Sequence, residues 1–459
     1  VNYGNVLPER YFLSSAPVLN TANVYSNQTI VLSPEIPVLT LDYGTESAGF
    51  PFFDVSSLSG PTQIEVKYAE QFPALLNPQS DGPWTFTNGL ANTFRVQTFN
   101  LTATGKTESF MLQGGLRWQT VRLLTSHSVV FSSVGLNSTA AHVPASEVPG
   151  RFSTSNILYN GIWDLGARVA QVACIDAGNA PTTWQVTCEG VFLQGQQTAQ
   201  SVKGTEFGNY TLSFATKIMR GGTGWRVASG ISPYGASFVL TSDYPGDATF
   251  IDTNRTLLPP NTVIFNYGWW LVNQSTLETG WNQYFTLDFP VPENKWIDID
   301  TTITTEGYNV TIGGNWIGLI PFFEAEVVGS SSFLGSGSAS GGTWGFGPFQ
   351  DQEAYFKNAK VTAENGTMLY QNDLLTDEIL SEYNIASLDT SVCLDGAKRD
   401  RLIWTGDFYH TSRVIAASTL RYDYVLGTIK RVFAWQRQVE PFKGFINIVR
   451  ILRRISESG

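Results

Sequence analysis

Two stretches of helical spacing flank a long run of strand-like sequence, and that arrangement restricts the fold of this chain more than any other feature. On the N-terminal side Leu158, Ile162, Leu165, Val169 and Val172 recur at i, i+4, i+7, i+11 and i+14, one apolar stripe along a helix. Ser153 or Ser155 stands where a side-chain oxygen would cap its first turn. Two glycines inside it, Gly161 and Gly166, each cost about 1 kcal/mol against alanine and so predict close packing on another element. On the C-terminal side Val414, Ala417, Leu420 and Tyr424, then Ile429, Val432 and Trp435, predict two further helices with Gly427 interrupting between them. From about Phe207 to Leu369 the sequence reads as strands, most clearly Tyr210 to Ile218, Trp296 to Ile303 and Tyr308 to Ile312, the last followed by Gly313-Gly314. A chain that leaves a helix, builds sheets and returns to helices predicts a discontinuous helical domain carrying an inserted β-sandwich.

The first 150 or so residues also read as strands: Ile30 to Leu41, Gln63 to Tyr68, Phe94 to Thr102 and Ser109 to Leu124 are bounded by Gly, Pro and Asn. That spacing suits another sandwich. Only 15% of residues are charged, too few for long solvated helices, so the expected class is mainly β with α. The inserted segment contains a Gly- and Ser-rich loop, Gly329 to Gly342, which predicts flexibility there.

The formal net charge of −11 repels phosphate backbones and anionic lipid, so nucleic acid is excluded as an expected partner. No run approaches the roughly 18 apolar residues of a membrane span, and a membrane partner is likewise not expected. Eight Asn-X-Ser/Thr sequons, at Asn27, Asn100, Asn137, Asn209, Asn254, Asn273, Asn309 and Asn365, spread over most of the chain. They point to a secreted, extracellular protein carrying N-linked glycans. Val1 in place of Met agrees with a processed N-terminus. Three cysteines, Cys174, Cys188 and Cys393, allow one disulfide and one free thiol. They have no metal-ligand spacing, and neither a metal nor a cofactor is expected.

The chemistry-bearing segment is Asp395-Gly396-Ala397-Lys398-Arg399-Asp400-Arg401-Leu402-Ile403-Trp404-Thr405-Gly406-Asp407. Glycoside hydrolysis needs one carboxyl held protonated beside the leaving oxygen and further polar groups to grip sugar hydroxyls; a loop leading into a helix can present three carboxylates to one pocket. The same residues have a plainer reading, because Asp-Gly and Gly-Asp are ordinary turn pairs and Asp/Arg alternation is commonly a solvated salt-bridge patch. His410 and Trp404 read first as ordinary structure, and Asp164, Asp176 and Glu189 as surface groups.

The order Asp, three variable residues, Arg, an acidic residue, a short spacer and Trp-Thr-Gly-Asp resembles the secreted fungal members of the α-L-rhamnosidase family, glycoside hydrolase family 78. The resemblance implies Asp400 as general acid, Asp395 and Asp407 as groups binding rhamnose hydroxyls, Trp404 as a pocket wall, and Arg399 preceding the acid. Many members have Glu where Asp400 stands and Cys-Pro where Gly396-Ala397 stands. It further implies an N-terminal jelly-roll sandwich over residues 1–150 and a first helix with linker over 151–204. A concanavalin-like inserted sandwich over 205–372 and a motif loop with the opening helices of an (α/α)6 barrel over 373–459 complete the organisation. With the insertion excised, Cys393 follows closely on Cys174, so these two are the disulfide candidates. The implied activity is inverting hydrolysis of terminal α-L-rhamnose from plant glycosides or polysaccharides, with acid and base about 6.5–9.5 Å apart. The family's base lies far along the barrel, and the closing stretch Phe442 to Arg454 does not match the family's continuation, so the chain is expected to stop short of the completed barrel, and the resemblance leaves open whether it is active alone. The competing expectation is a non-catalytic carbohydrate-binding or scaffold protein; another is a different sugar on the same scaffold. A partial barrel would leave apolar helix faces exposed, which favours a dimer.

Overall fold

The structure, a computed structural model, describes residues 4–26, 28–82, 95–195, 198–229, 236–244, 255, 258–267, 283–322, 341–349, 351–398, 401–434 and 449–450. Arg399 and Asp400, the sequons at Asn27, Asn254 and Asn273, Trp435, nearly all of the loop from Gly329 to Gly342 and most of Phe442 to Arg454 lie outside the described residues. The chain is mainly β with few helices.

The N-terminal sheet runs, edge to edge, Asn5–Val6, Val129–Ser138, Val38–Leu58, Gln113–Leu123, Thr62–Ala69 and Val96–Leu101, with antiparallel pairing throughout. Its organising element is the long strand Val38–Leu58. The first part, Val38 to Asp42, pairs with Arg122 to Trp118, and the later part, Gly49 to Leu58, pairs with Ser138 to Val129. Register shifts between Asp42 and Ser47 and between Ser47 and Gly49 let one strand serve both. Alternate residues along these strands, Leu39, Leu41, Phe53, Val55, Ile64, Val66, Val121, Phe131 and Leu136, form one apolar cluster, with the Phe53 ring 5.2 Å from that of Phe99.

A helix, α1 (Ile157–Ala173), follows. Its cap is Asn156 rather than Ser153 or Ser155: the Asn156 carboxamide oxygen accepts from the backbone N–H of Leu158 at 3.0 Å. Helix α1 therefore begins later than the capping serines suggested, and the Asn side chain reaches back to a free donor of its first turn.

The inserted region forms two facing sheets. One contains Gln185–Thr187, Gly190–Gln194, Glu353–Ala363, Tyr210–Arg220, Trp296–Ile303, Gly307–Ile312 and Asn315–Pro321 in that spatial order. Its first two strands precede residue 205. The other runs Ala199–Gln200, Thr343–Phe346, Gly222–Ser229, Ala236–Thr241, Thr262–Tyr267 and Gln283–Thr286. Between them lie Trp184, Tyr210, Phe214, Trp225, Phe238, Phe265, Tyr308, Trp344, Phe346 and Phe356. Large aromatic rings supply the apolar area that so many short strands need. A short helix, α2 (Glu378–Glu382), adds Ile379 to this core, followed by Tyr383. The two β regions are tied by Asp351, whose carboxylate accepts from the Thr98 backbone N–H at 2.8 Å and from Arg220 at 3.1 Å.

Helices α3 (Thr405–Ala417) and α4 (Tyr422–Phe433) close the described chain, apart from Val449–Arg450, which pairs with Ile403–Trp404. Gly427 lies inside α4, not between helices. The chain breaks instead at Leu420, whose φ is +53°, and a side chain at Gly427 would overlap the carbonyl oxygen of Ser391. That glycine is a close-approach residue. Ala140, Ala170, Cys174, Cys393, Ile415 and Tyr424 form a small apolar cluster joining α1, α3 and α4. Cys174 and Cys393 face each other across a two-residue antiparallel bridge and form a disulfide, with Cα atoms 4.0 Å apart; Cys188 is free and exposed.

The apolar stripe of α1 is largely on the outside. Leu158, Ile162, Leu165 and Val169 are exposed, Leu165 to 67%, and Val172 alone of the stripe is buried. The buried side is made of Ala167, Ala170, Gln171, Val172 and Ala173. Alanines permit the helix to lie close to the Cys174–Cys393 cluster, while bulkier residues would hold it away. Gly161 and Gly166 have open space where a side chain would be, so among the described residues they do not mark close packing.

Candidate functional site

The segment beginning at Asp395 is a closed loop seated on the N-terminal sheet. Leu394 donates its N–H to the Ala173 carbonyl at 3.0 Å, which starts the loop at the end of α1. Asp395 and Leu402 then pinch it shut: Asp395 N–H donates to the Leu402 carbonyl at 2.8 Å, and Leu402 N–H donates to Asp395 Oδ1 at 2.7 Å. The Asp395 carboxylate, expected on resemblance to meet sugar, thus also holds the loop's neck. Arg401, with φ +49°, turns inward and donates to the Leu112 carbonyl. Burial foremost, and then the charge of Arg95, depress its pKa to about 9.

Gly114 and Gly115 make the seat. A side chain at Gly114 would overlap the Ala397 carbonyl, and one at Gly115, where φ is +55°, would come within 2.7 Å of Lys398 Cβ. Only glycine allows this approach. Lys398 is clamped by Glu70 at 2.8 Å and Asp81 at 3.1 Å. Arg95 anchors the same corner from below, donating to Asp81 at 2.9 Å and to the carbonyls of Gly114 at 2.9 Å and Gly115 at 3.1 Å. The loop is therefore positioned by the first sheet as much as by the helices.

Glu46 belongs to this corner and was not singled out from the sequence. Its carboxyl is pushed up to about 7, first by burial and then by the negative charge of Glu70; Arg95 and Lys398 pull it down and Asp81 raises it. Among the described residues its buried Oε2 has no hydrogen-bond partner. A carboxyl that is partly protonated near neutrality, beside a loop carrying further acids, has the character expected of a proton donor. The signal in sequence is nil: Glu46 sits in an unremarkable Thr-Glu-Ser stretch within the long strand.

Of the remaining motif residues, Trp404 is half-buried at the start of α3, and Asp407 is exposed in its first turn, where a negative charge suits the helix N-terminus. His410 is exposed, its ring 5.1 Å from Tyr409 edge to face. Asp176 is not a surface group: it is buried and accepts from Tyr424 Oη at 2.8 Å, from the Ala141 N–H at 3.2 Å and from Arg421. It fastens α4 to the end of α1, a role that depends on residues more than two hundred positions away. Glu189 pairs with Lys217 on the inserted sheet.

Beside the corner, a cavity of 540 Å³ opens between the sheet and α1, lined by Asn5, Thr45, His142, Asp164, Arg168 and Gln171 among others. Arg168 donates through Nε to the Glu46 carbonyl at 2.8 Å. His142 is held neutral, lowered to about 3 by burial and then by Arg168. Among the described residues no group of three or more His, Cys, Asp or Glu could hold a metal ion, and no helix is long and apolar enough to cross a membrane.

No protein-family profile and no curated protein matches the sequence. Solved structures similar to part of the chain include the carbohydrate-binding module CBM66 from Bacillus subtilis, at 16% identity over 39% of this chain and 89% of that one, with a TM-score of 0.26. They include a rhamnosidase from Klebsiella oxytoca with rhamnose bound, at 14% identity over 40% of this chain and 37% of that one, TM-score 0.28. Sheep galectin-11 in complex with glycerol is similar at 7% identity over 33% of this chain and 89% of that one, TM-score 0.21. Likenesses of this size do not identify an activity.

Proposed function

We propose that this chain is a secreted glycoside hydrolase of the α-L-rhamnosidase kind, with Asp400 as general acid and Asp395, Arg399, Trp404 and Asp407 around the sugar. The observation that carries the reading is the ungapped motif from Asp395 to Asp407. The seating of Ala397 and Lys398 on Gly114 and Gly115, with Lys398 clamped by two carboxylates, supports it, because catalytic groups work best from a loop whose described flank is fixed. The Cys174–Cys393 disulfide supports an oxidising, extracellular setting. Hydrolysis proceeds by inversion: the acid protonates the glycosidic oxygen while a base on the opposite face of the sugar activates water. Incubation with an aryl α-L-rhamnoside, followed by NMR of the first-formed sugar, is the test. Initial release of rhamnose with inverted anomeric configuration is expected, and retention sinks the inverting assignment.

A second reading is a non-catalytic carbohydrate-binding or scaffold protein, favoured by the large share of the described chain spent on two β regions. Binding of rhamnosylated glycans without turnover separates it from the first.

A further inference from the structure

Asn309 lies on the outer face of the second sheet, in the strand Gly307–Ile312, where Tyr308, Val310 and Ile312 point into the core and Asn309 and Thr311 point out. Its neighbour Asn315–Pro321 is the edge strand, so this face is open on one side. Across the register Thr311 stands opposite Trp316. Trp316 is 69% exposed, and its indole N–H donates to Asn309 Oδ1 at 3.4 Å. An indole nitrogen only donates, so the atom it meets is the carboxamide oxygen and not the nitrogen. Among the described residues Nδ2 of Asn309 donates to nothing. Two of the other described sequons differ in this: the Asn137 and Asn209 nitrogens are committed to Glu108 and Glu364, the latter at 3.0 Å. Asn100 and Asn365 resemble Asn309, their Oδ1 atoms accepting from Gln63 at 2.9 Å and from the Thr367 N–H at 3.0 Å, so what sets Asn309 apart is the exposed Trp316 beside it.

We propose that Asn309 is an N-glycosylation site whose first N-acetylglucosamine lies on the indole of Trp316. The inference rests on the secretion reading and not on the hydrolase reading. In the transfer, Nδ2 forms a bond to C1 of the oligosaccharide and loses one proton, while the bond from C1 to the lipid diphosphate of the donor breaks and that diphosphate leaves. The product is a planar secondary amide in its trans form, which puts the sugar carbon on the same side of the C–N bond as Oδ1. Since Oδ1 is the atom that faces Trp316, the sugar grows toward the indole and not away from it. The apolar face of a pyranose on an indole buries area that both leave wet when apart. An exposed tryptophan on an edge strand, otherwise an aggregation liability, is covered by the glycan.

The experiment is secretion of the full chain from a yeast host behind a supplied signal peptide, then glycopeptide mass spectrometry and timed release by peptide N-glycosidase from the native protein. Asn309 is expected to be occupied, with release from that site about fivefold faster in Trp316→Ala than in the parent or in Trp316→Phe. Because Trp316 is exposed, Trp316→Ala leaves the core intact. An unoccupied Asn309 in the secreted protein overturns the site, whatever the other sequons carry; equal release from all three proteins overturns the stacking. Neither outcome depends on rhamnoside hydrolysis.

Discussion

At the scale of single residues, glycines and one carboxyl report most directly on whether the described packing is right. Gly427 faces the Ser391 carbonyl with no room for a methyl group, so Gly427→Ala is expected to cost about 2–3 kcal/mol in chemical denaturation. Gly161 and Gly166 face open space; replacing either with alanine should stabilise by up to about 1 kcal/mol. The sequence reads Gly161 and Gly166 as close-packed and Gly427 as a break between helices, and the structure reverses both, because a sequence shows that a glycine is present and not what approaches it. Glu46 makes a pH prediction. Its folded value near 7 lies above its ordinary 4.5, so its protonated form favours folding, fully so below about 4.5, and that contribution is lost as pH rises through 7. Allowing for its partial exposure, Glu46→Gln should gain about 1–2 kcal/mol on the parent between pH 5 and pH 8. Melting curves at the two pH values check this, and an equal difference at both contradicts it.

At the scale of elements, the existence of helices on both sides of the strand-rich segment was legible, because apolar residues at 3.6-residue spacing do not suit strands. Which face of α1 is buried was not legible. The stripe at Leu158, Ile162, Leu165 and Val169 is exposed, and the alanine face is inside; hydrophobic period marks an apolar stripe without saying what lies opposite. The helix cap was misplaced by one to three residues for a similar reason, since Ser153, Ser155 and Asn156 are all competent caps and only the turn decides. The loop from Asp395 was visible as a motif, yet its seat on Gly114 and Gly115 was not, as the two segments are far apart in sequence. Joining α1 to the start of that loop, the Cys174–Cys393 bridge closes a segment of 219 residues. Cys174→Ser is expected to cost about 2–4 kcal/mol, read in urea under non-reducing conditions; loss of less than half a unit would mean the bridge does not constrain the unfolded chain.

At the scale of the whole molecule, the mainly β class follows from a chain low in charge and rich in turn residues, but the two large apolar clusters draw only in part on strands the sequence marked: Phe53, Val129, Phe131 and Leu136 in one, and Trp225, Phe238, Phe265 and Phe356 in the other, come from stretches it did not single out. Tertiary partnerships carried the rest: Asp176 with Arg421 and Tyr424, Asp351 with Thr98 and Arg220, Glu46 with Glu70 and Lys398. None has a local signature, since each joins residues from separate parts of the fold. The central claim is that the Asp395 to Asp407 segment performs acid-catalysed removal of rhamnose. It is tested most directly by the rate of rhamnose release from an aryl α-L-rhamnoside by the parent chain and by Asp400→Asn at matched folding. The account predicts measurable release by the parent and a fall of at least about 100-fold in the variant. Equal rates in the two proteins, or no release and no rhamnose binding by the folded parent, would contradict it.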